Sequence, residues 1–166
     1  MRTVISYLNN LLLPLFPESK AFGFKRFMWR LAGAQIGNNV KISSSCKILG
    51  AGELAIGDNT WIGYQCMIVS SSNIVIGTNV DIAPRVYIGT GTHTIDPNAE
   101  HIAATDISRD VKIGDGCWIC ANATILPGTK IGRKTVVAAG AVVATAFNEE
   151  QILVGGVPAK KLKSYE

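Results

Sequence analysis

Aliphatic β-branched residues recur in this chain every six positions, a period that excludes most folds. Ile36, Ile42 and Ile48 begin it, and Ile56, Ile62, Ile68, Ile76, Ile82 and Ile88 carry it on. After an interruption it resumes at Ile113, Ile119 and Ile125 and closes with Ile131, Val137 and Val143. An amphipathic helix would repeat every ~3.6 residues and a half-buried strand about every two. The residue after the aliphatic one is often Gly or Ala, and the residue four places after it is usually small, as at Cys46, Cys66, Cys117, Ala123 and Ala141. Such a pattern specifies very short strands separated by turns.

Three hexads make one triangular coil, so the spacing predicts an all-β solenoid of about five coils stacked ~4.8 Å apart, with the aliphatic ladders as its core. Ile36, Ile56 and Ile76 lie twenty residues apart and Ile113 and Ile131 eighteen, so the earlier coils carry two extra residues as corner bulges. The two ends of such a prism are open strand edges and need covering.

Residues 1–35 lie outside the repeat and are expected to form an N-terminal helical cap segment, while 36–163 form the repeat domain and 158–166 a short C-terminal tail or helix. Thr3 to Leu13 has helical spacing up to Pro14, and Glu18 to Leu31 mixes Phe22, Phe27, Trp29 and Leu31 with Lys25, Arg26 and Arg30. The segment either packs on the end or side of the solenoid or presents a basic amphipathic surface to a membrane or a membrane-bound partner.

The interruption, a loop insertion over 92–112, holds both histidines of the chain, His93 and His101. His93 follows Gly91-Thr92 where the repeat breaks off. Imidazole titrates near neutrality, so a histidine there suits a general base. Asp96, or the loop acids Glu100, Asp106 and Asp110, could orient it, as could a carboxylate of another subunit.

Composition narrows the function classes. The chain has 166 residues, 48% of them hydrophobic and 17% charged, which argues for one folded domain with part of its surface hidden in an oligomer. The net charge of +4 fits an anionic small ligand, and no nucleic-acid-binding motif accompanies it. No apolar run is long enough to span a bilayer and no signal-peptide pattern opens the chain, so a cytoplasmic location is expected, at most peripheral at the inner face of the membrane. Cys117-Trp118-Ile119-Cys120 has redox spacing, but all four cysteines fall at small repeat positions and read as reduced packing residues.

Four landmarks carry a resemblance. They are Ile82-Ala83-Pro84, Gly91-Thr92-His93, Ile113-Gly114-Asp115-Gly116-Cys117-Trp118-Ile119 and Gly155-Gly156-Val157-Pro158-Ala159-Lys160. In this order, over 36–163, they resemble the hexapeptide-repeat acyltransferase family, and most of all its sugar and polysaccharide O-acetyltransferases of the colanic-acid, galactoside and maltose types. Arg30-Leu31-Ala32-Gly33-Ala34-Gln35-Ile36-Gly37 is closest to the colanic-acid and O-antigen branch.

The resemblance implies a left-handed parallel β-helix and a homotrimer with active sites between subunits, the loop reaching over a neighbour. It implies acetyl-CoA as co-substrate and a sugar or glycan hydroxyl as acceptor, with direct transfer in a ternary complex. By the same resemblance His93 is the catalytic base, and Trp118 adjoins acceptor and pantetheine unless it is a lateral packing residue. Ala83, Ala121 and Ala139 line the pantetheine arm, with an amide near Ala121 at the thioester, and Lys160 and Lys163 meet the nucleotide phosphates, with Arg133 and Lys134 as helpers. Gly63 and Gln65 stand where some members carry an asparagine, a departure in the acceptor region. The γ-type carbonic anhydrases share the fold but need three histidines for zinc; with two, no metal is expected. N-acetylation of a nucleotide-linked amino sugar and a non-catalytic β-helix scaffold are the alternatives.

Overall fold

The computed structural model describes residues 1–165. Three parallel sheets form the sides of the prism. Sheet I runs from Gln35–Ile36 through Leu54–Ile56, Ile74–Ile76 and Val111–Ile113 to Lys130–Ile131. Sheet II runs from Lys41–Ile42 through Trp61–Ile62, Asp81–Ile82, Trp118–Ile119 and Val136–Val137 to Ile152–Gly156. Sheet III runs from Lys47–Leu49 through Met67–Val69, Tyr87–Gly89 and Thr124–Ile125 to Val142–Val143. Five coils are complete. A sixth is begun by Phe147, bridged in parallel to Ile131, and by Ile152–Gly156.

The sequence period maps directly onto registry. Ile42, Ile62, Ile82, Ile119, Val137 and Val154 stand one above another in sheet II, and all are buried. Each such side chain contributes roughly 1.5–3 kcal/mol of hydrophobic stabilisation. The small positions sit inside the corners; Thr60 shows why a hydroxyl is tolerated there, since its Oγ1 donates to the Gly77 carbonyl at 2.9 Å and accepts the Val80 N–H at 3.1 Å. The extra residues of the early coils lie at the corner between sheets III and I. Gly50 has φ +96°, and a Cβ on it would lie 2.1 Å from the Ser70 carbonyl oxygen, so no other residue fits there.

Helix α1 (Thr3–Leu12) and helix α2 (Phe22–Leu31) close the first coil. They do so with polar groups, because an open strand edge presents unpaired amides and carbonyls. Asn10 is paired with Ile48: its Nδ2 donates to the carbonyl at 2.7 Å and its Oδ1 accepts the N–H at 3.1 Å. Arg26 donates to the Val40 carbonyl, and Arg30 to the carbonyls of Ile36 and Gly37. At the other end the tail, through its described residues, is neither free nor helical. Ala159–Ser164 folds back antiparallel on Ile152–Gly156 and covers the last edge of sheet II, the reversal falling at Val157-Pro158.

The insertion is also more regular than an irregular loop. Gly91–Ile95 and Ala103–Ser108 pair as an antiparallel hairpin. Thr92, Thr94, Thr105 and Ile107 supply β-branched residues, but without an apolar face their alternation leaves no hydrophobic pattern to read.

Candidate functional site

The hairpin springs from the corner between sheets III and I at the level of the third coil. Buried Thr90 fixes its root: its Oγ1 accepts the N–H groups of Ser71 and Ser72 at 2.7 and 3.0 Å, and its carbonyl accepts the Arg109 N–H at 2.9 Å. Asp110 locks the other leg through the Asn73 amide and side chain, and those hydrogen bonds hold its carboxyl below the usual range.

His93 and Asp106 are direct cross-strand partners on this arm. His93 Nδ1 lies 2.9 Å from Asp106 Oδ1, with the two side chains 52% and 92% exposed. A pair so open to water contributes little stability; its consequence is orientation, with Nδ1 engaged and Nε2 free. The dyad lines a cavity of about 460 Å³ together with Ser71, Gly91, Thr92, Ile107 and Ser108. Asp96, four places from His93 counting both ends, turns to the hairpin tip instead, where its Oδ1 accepts the Asn98 N–H at 2.9 Å. Glu100 and His101 are exposed at that tip.

The remaining candidates gather at a different edge. Trp118, 54% exposed, is on the outer face of sheet II. Its outward ladder runs Trp61, Asp81, Trp118, Val136, Leu153 and Lys163, so Trp118 and Lys163 share one stripe. The Lys163 ammonium lies 4.7 Å from the centre of the Tyr165 ring. Lys160 is opposite Gly155 in the final hairpin, and Lys161 is paired with Glu149. Arg133 lies 3.8 Å from Asp115.

Ala83, Ala121 and Ala139 all fall at the corner between sheets II and III, in two adjacent columns. Registry places Ala83 with Cys120 and Ala138, and Pro84 with Ala121 and Ala139. The amides of this second column differ from their counterparts at the corner between sheets I and II. There Asn38 and Thr78 donate to the carboxylates of Asp58 and Asp115 in the next coil, at 2.6 and 2.8 Å. Among the described residues, no acid stands in that relation to Ala121 or Ala139, which leaves their N–H groups available to a ligand running along the corner.

His93 and the alanine corner are thus separated within one chain by the whole width of sheet III. Sequence inspection did not single out Ser71, Asp81 or Trp61. Ser71 is 22 residues from the histidine but lines its cavity, a proximity visible only once the corner bulge is built.

Burial pushes the thiols of Cys46 and Cys66 up and that of Cys117 up to about 11; Cys120, half-buried, is also raised. Such thiols are poor nucleophiles at neutral pH. Brief iodoacetamide treatment of the native protein should therefore leave Cys46, Cys66 and Cys117 unmodified by intact mass, whereas denaturant should expose all four cysteines. Rapid alkylation of Cys117 would make it a candidate nucleophile.

A family model described as "Bacterial transferase hexapeptide (six repeats)" matches residues 110–145. A protein of Escherichia coli K12 named as a colanic acid biosynthesis acetyltransferase, WcaF, is 34% identical over 118 residues, covering 71% of this chain and 63% of that one. Another from the same organism, named as the lipopolysaccharide biosynthesis O-acetyl transferase WbbJ, is 34% identical over 92 residues, covering 51% of this chain and 46% of that one. The chain thus spans less than two thirds of the length of these relatives. Among solved structures, a hexapeptide-repeat acetyltransferase of Vibrio cholerae in complex with acetyl-coenzyme A superposes with a TM-score of 0.77 at 25% identity, covering 99% of this chain and 87% of that one.

Proposed function

We propose, from its likeness to the bacterial transferase hexapeptide family, that the chain transfers an acetyl group from acetyl-CoA to a hydroxyl of a sugar or glycan precursor in surface polysaccharide or lipopolysaccharide synthesis. The observation that carries this is the His93–Asp106 dyad, with Nδ1 held at 2.9 Å and Nε2 open to a cavity of about 460 Å³. The names of the similar proteins, an acetyltransferase of colanic acid and one of lipopolysaccharide, support the acceptor class.

In this scheme Asp106 accepts the Nδ1 proton of His93 and so keeps the lone pair on Nε2. Nε2 takes the proton of the acceptor hydroxyl as its oxygen attacks the acetyl carbonyl. Acetyl-CoA, when bound, supplies the activated thioester. The Ala121 amide donates to the carbonyl oxygen as charge develops on it. The imidazolium then returns its proton to the departing thiolate, and no acyl-enzyme forms. The small residues at the corner of sheets II and III leave room for the pantetheine arm, and Lys160 and Lys163 meet the phosphates.

His93 and this corner lie on different edges of one prism, so one chain alone does not bring base and thioester together. A homotrimer in which the hairpin of one chain leans over the corner of the next completes the site. The hairpin favours this arrangement, because Gly91–Ile95 is exposed at every position and an isolated two-stranded ribbon is marginal in water.

Ala121→Pro tests the amide. Pro84 occupies the same ladder position one coil earlier, so the backbone tolerates proline there while the N–H is lost. The variant should fold and bind acceptor normally, with turnover reduced about 10²-fold; unchanged turnover would remove Ala121 from the scheme. Matched amino and hydroxyl sugars as acceptors separate this proposal from N-acetylation.

A further inference from the structure

Helix α1 is built inside out. Its buried positions are Ser6 and Asn9, and Asn10 beside them is bonded to Ile48. Of its apolar side chains Ile5 alone packs against the core; Val4, Tyr7, Leu8, Leu11 and Leu12 are exposed, and Leu15 just beyond the helix is 80% exposed. The strand edge of the first coil explains the inversion. Asn10 pairs with that edge at Ile48 and the Asn9 amide donates to the Met28 carbonyl of the second helix at 2.8 Å, so the polar face of α1 turns inward and most of its apolar face is left outside. The patch continues across the second helix through Phe24, Phe27 and Leu31, and the rings of Phe16 and Phe24 touch with centroids 5.2 Å apart. A contiguous patch of this kind on one end of a small protein is an interaction surface.

Charge identifies the occupant. Seven of the sixteen Lys and Arg residues but one of the twelve acids lie within residues 1–49, so this end carries net +6 and the rest of the chain net −2. That single acid, Glu18, turns its carboxylate to the Ser45 N–H at 3.1 Å. Arg2 and Lys20 are exposed, and Lys41 and Lys47 lie in the first coil beneath the helices. No helix among the described residues is long and apolar enough to cross a bilayer. We propose that the N-terminal end of the prism docks on an anionic lipid surface, with α1, α2 and Leu15 lying in the interface and the flanking cations meeting the headgroups. The hairpin and sheets then project away from the bilayer, and an acceptor carried on a lipid would lie close to them.

The test is co-sedimentation of the full chain with vesicles of phosphatidylglycerol and phosphatidylethanolamine, beside vesicles of phosphatidylcholine alone. The wild type should pellet with the anionic vesicles, weakly with the neutral ones, and less at raised salt. The triple variant Leu11→Glu/Leu15→Glu/Phe27→Glu changes only exposed positions, so its circular dichroism should match the wild type while its partitioning falls at least about tenfold. Wild-type protein that stays in the supernatant with anionic vesicles would overturn the proposal, as would a triple variant that binds undiminished. A triple variant of lower oligomeric state by light scattering would also overturn it, assigning the face to contact between copies of the chain. None of these readouts depends on acetyl transfer, so docking and the proposed enzymatic activity can fail separately.

Discussion

Replacing His93 with alanine should lower kcat/KM for acetyl transfer by about 10²–10⁴-fold, the usual contribution of a positioned general base. The loss should fall on kcat, because the imidazole acts on a proton that moves only as the new bond forms, and acetyl-CoA affinity should stay close to that of the wild type. Stability should barely change. His93 is half exposed on an arm outside the core, and its one side-chain partner, Asp106, is almost fully solvated. Asp106→Ala should cost less than His93→Ala, since it frees the ring to rotate but leaves a base in place. Steady-state kinetics on both variants, beside circular dichroism, checks this. Full activity in His93→Ala would remove the base from the scheme, and a collapse of the fold would mean the histidine is structural.

The largest effect on stability belongs to the middle of the sheet II ladder. Ile82→Ala removes a fully buried side chain stacked between Ile62 and Ile119. The loss should be about 2–5 kcal/mol, transfer free energy plus the cavity left behind, at the upper end where neighbours cannot collapse inward. Here they cannot, because the strands above and below are held in register by backbone hydrogen bonds such as Gly63 N–H to the Ile82 carbonyl at 2.8 Å and Ala83 N–H to the Ile119 carbonyl at 2.9 Å. Ile82→Val, which keeps the branched shape, should cost about 0.5–1.5 kcal/mol. Denaturant unfolding of both variants measures the difference; equal small losses would mean that the coils close around the gap.

Those ladders were legible in the sequence because one rule, an aliphatic residue every sixth place, sets both strand and registry. The same rule found the corner bulges, and Pro14 marked where the first helix stops. Other features depend on facts that no period encodes. The spacing His93-x-x-Asp96 suggested a local partner, but the antiparallel hairpin brings Asp106 across instead and leaves Asp96 at the tip. Ala83, Ala121 and Ala139 looked equivalent as small residues, yet registry across the 37-residue step from Ile82 to Ile119 sets Pro84 beside Ala121. Helical spacing in residues 3–13 gave the helix but not which side faces in. That was decided by the unpaired strand edge beneath it, which drew Asn10 inward and left the leucines outside.

Calorimetric titration of acetyl-CoA into the purified protein tests the transferase assignment most directly, because in the proposed scheme the corner of Ala121 and Ala139 and the Lys160–Lys163 strand meet the coenzyme before any acceptor matters. The expected result is about one site per chain, with affinity weakened about tenfold in Lys160→Ala/Lys163→Ala through lost charge-assisted contacts to phosphate. Absence of binding at about millimolar ligand, an affinity of only ~4 kcal/mol, would contradict the assignment and leave the β-helix as a scaffold for a protein partner.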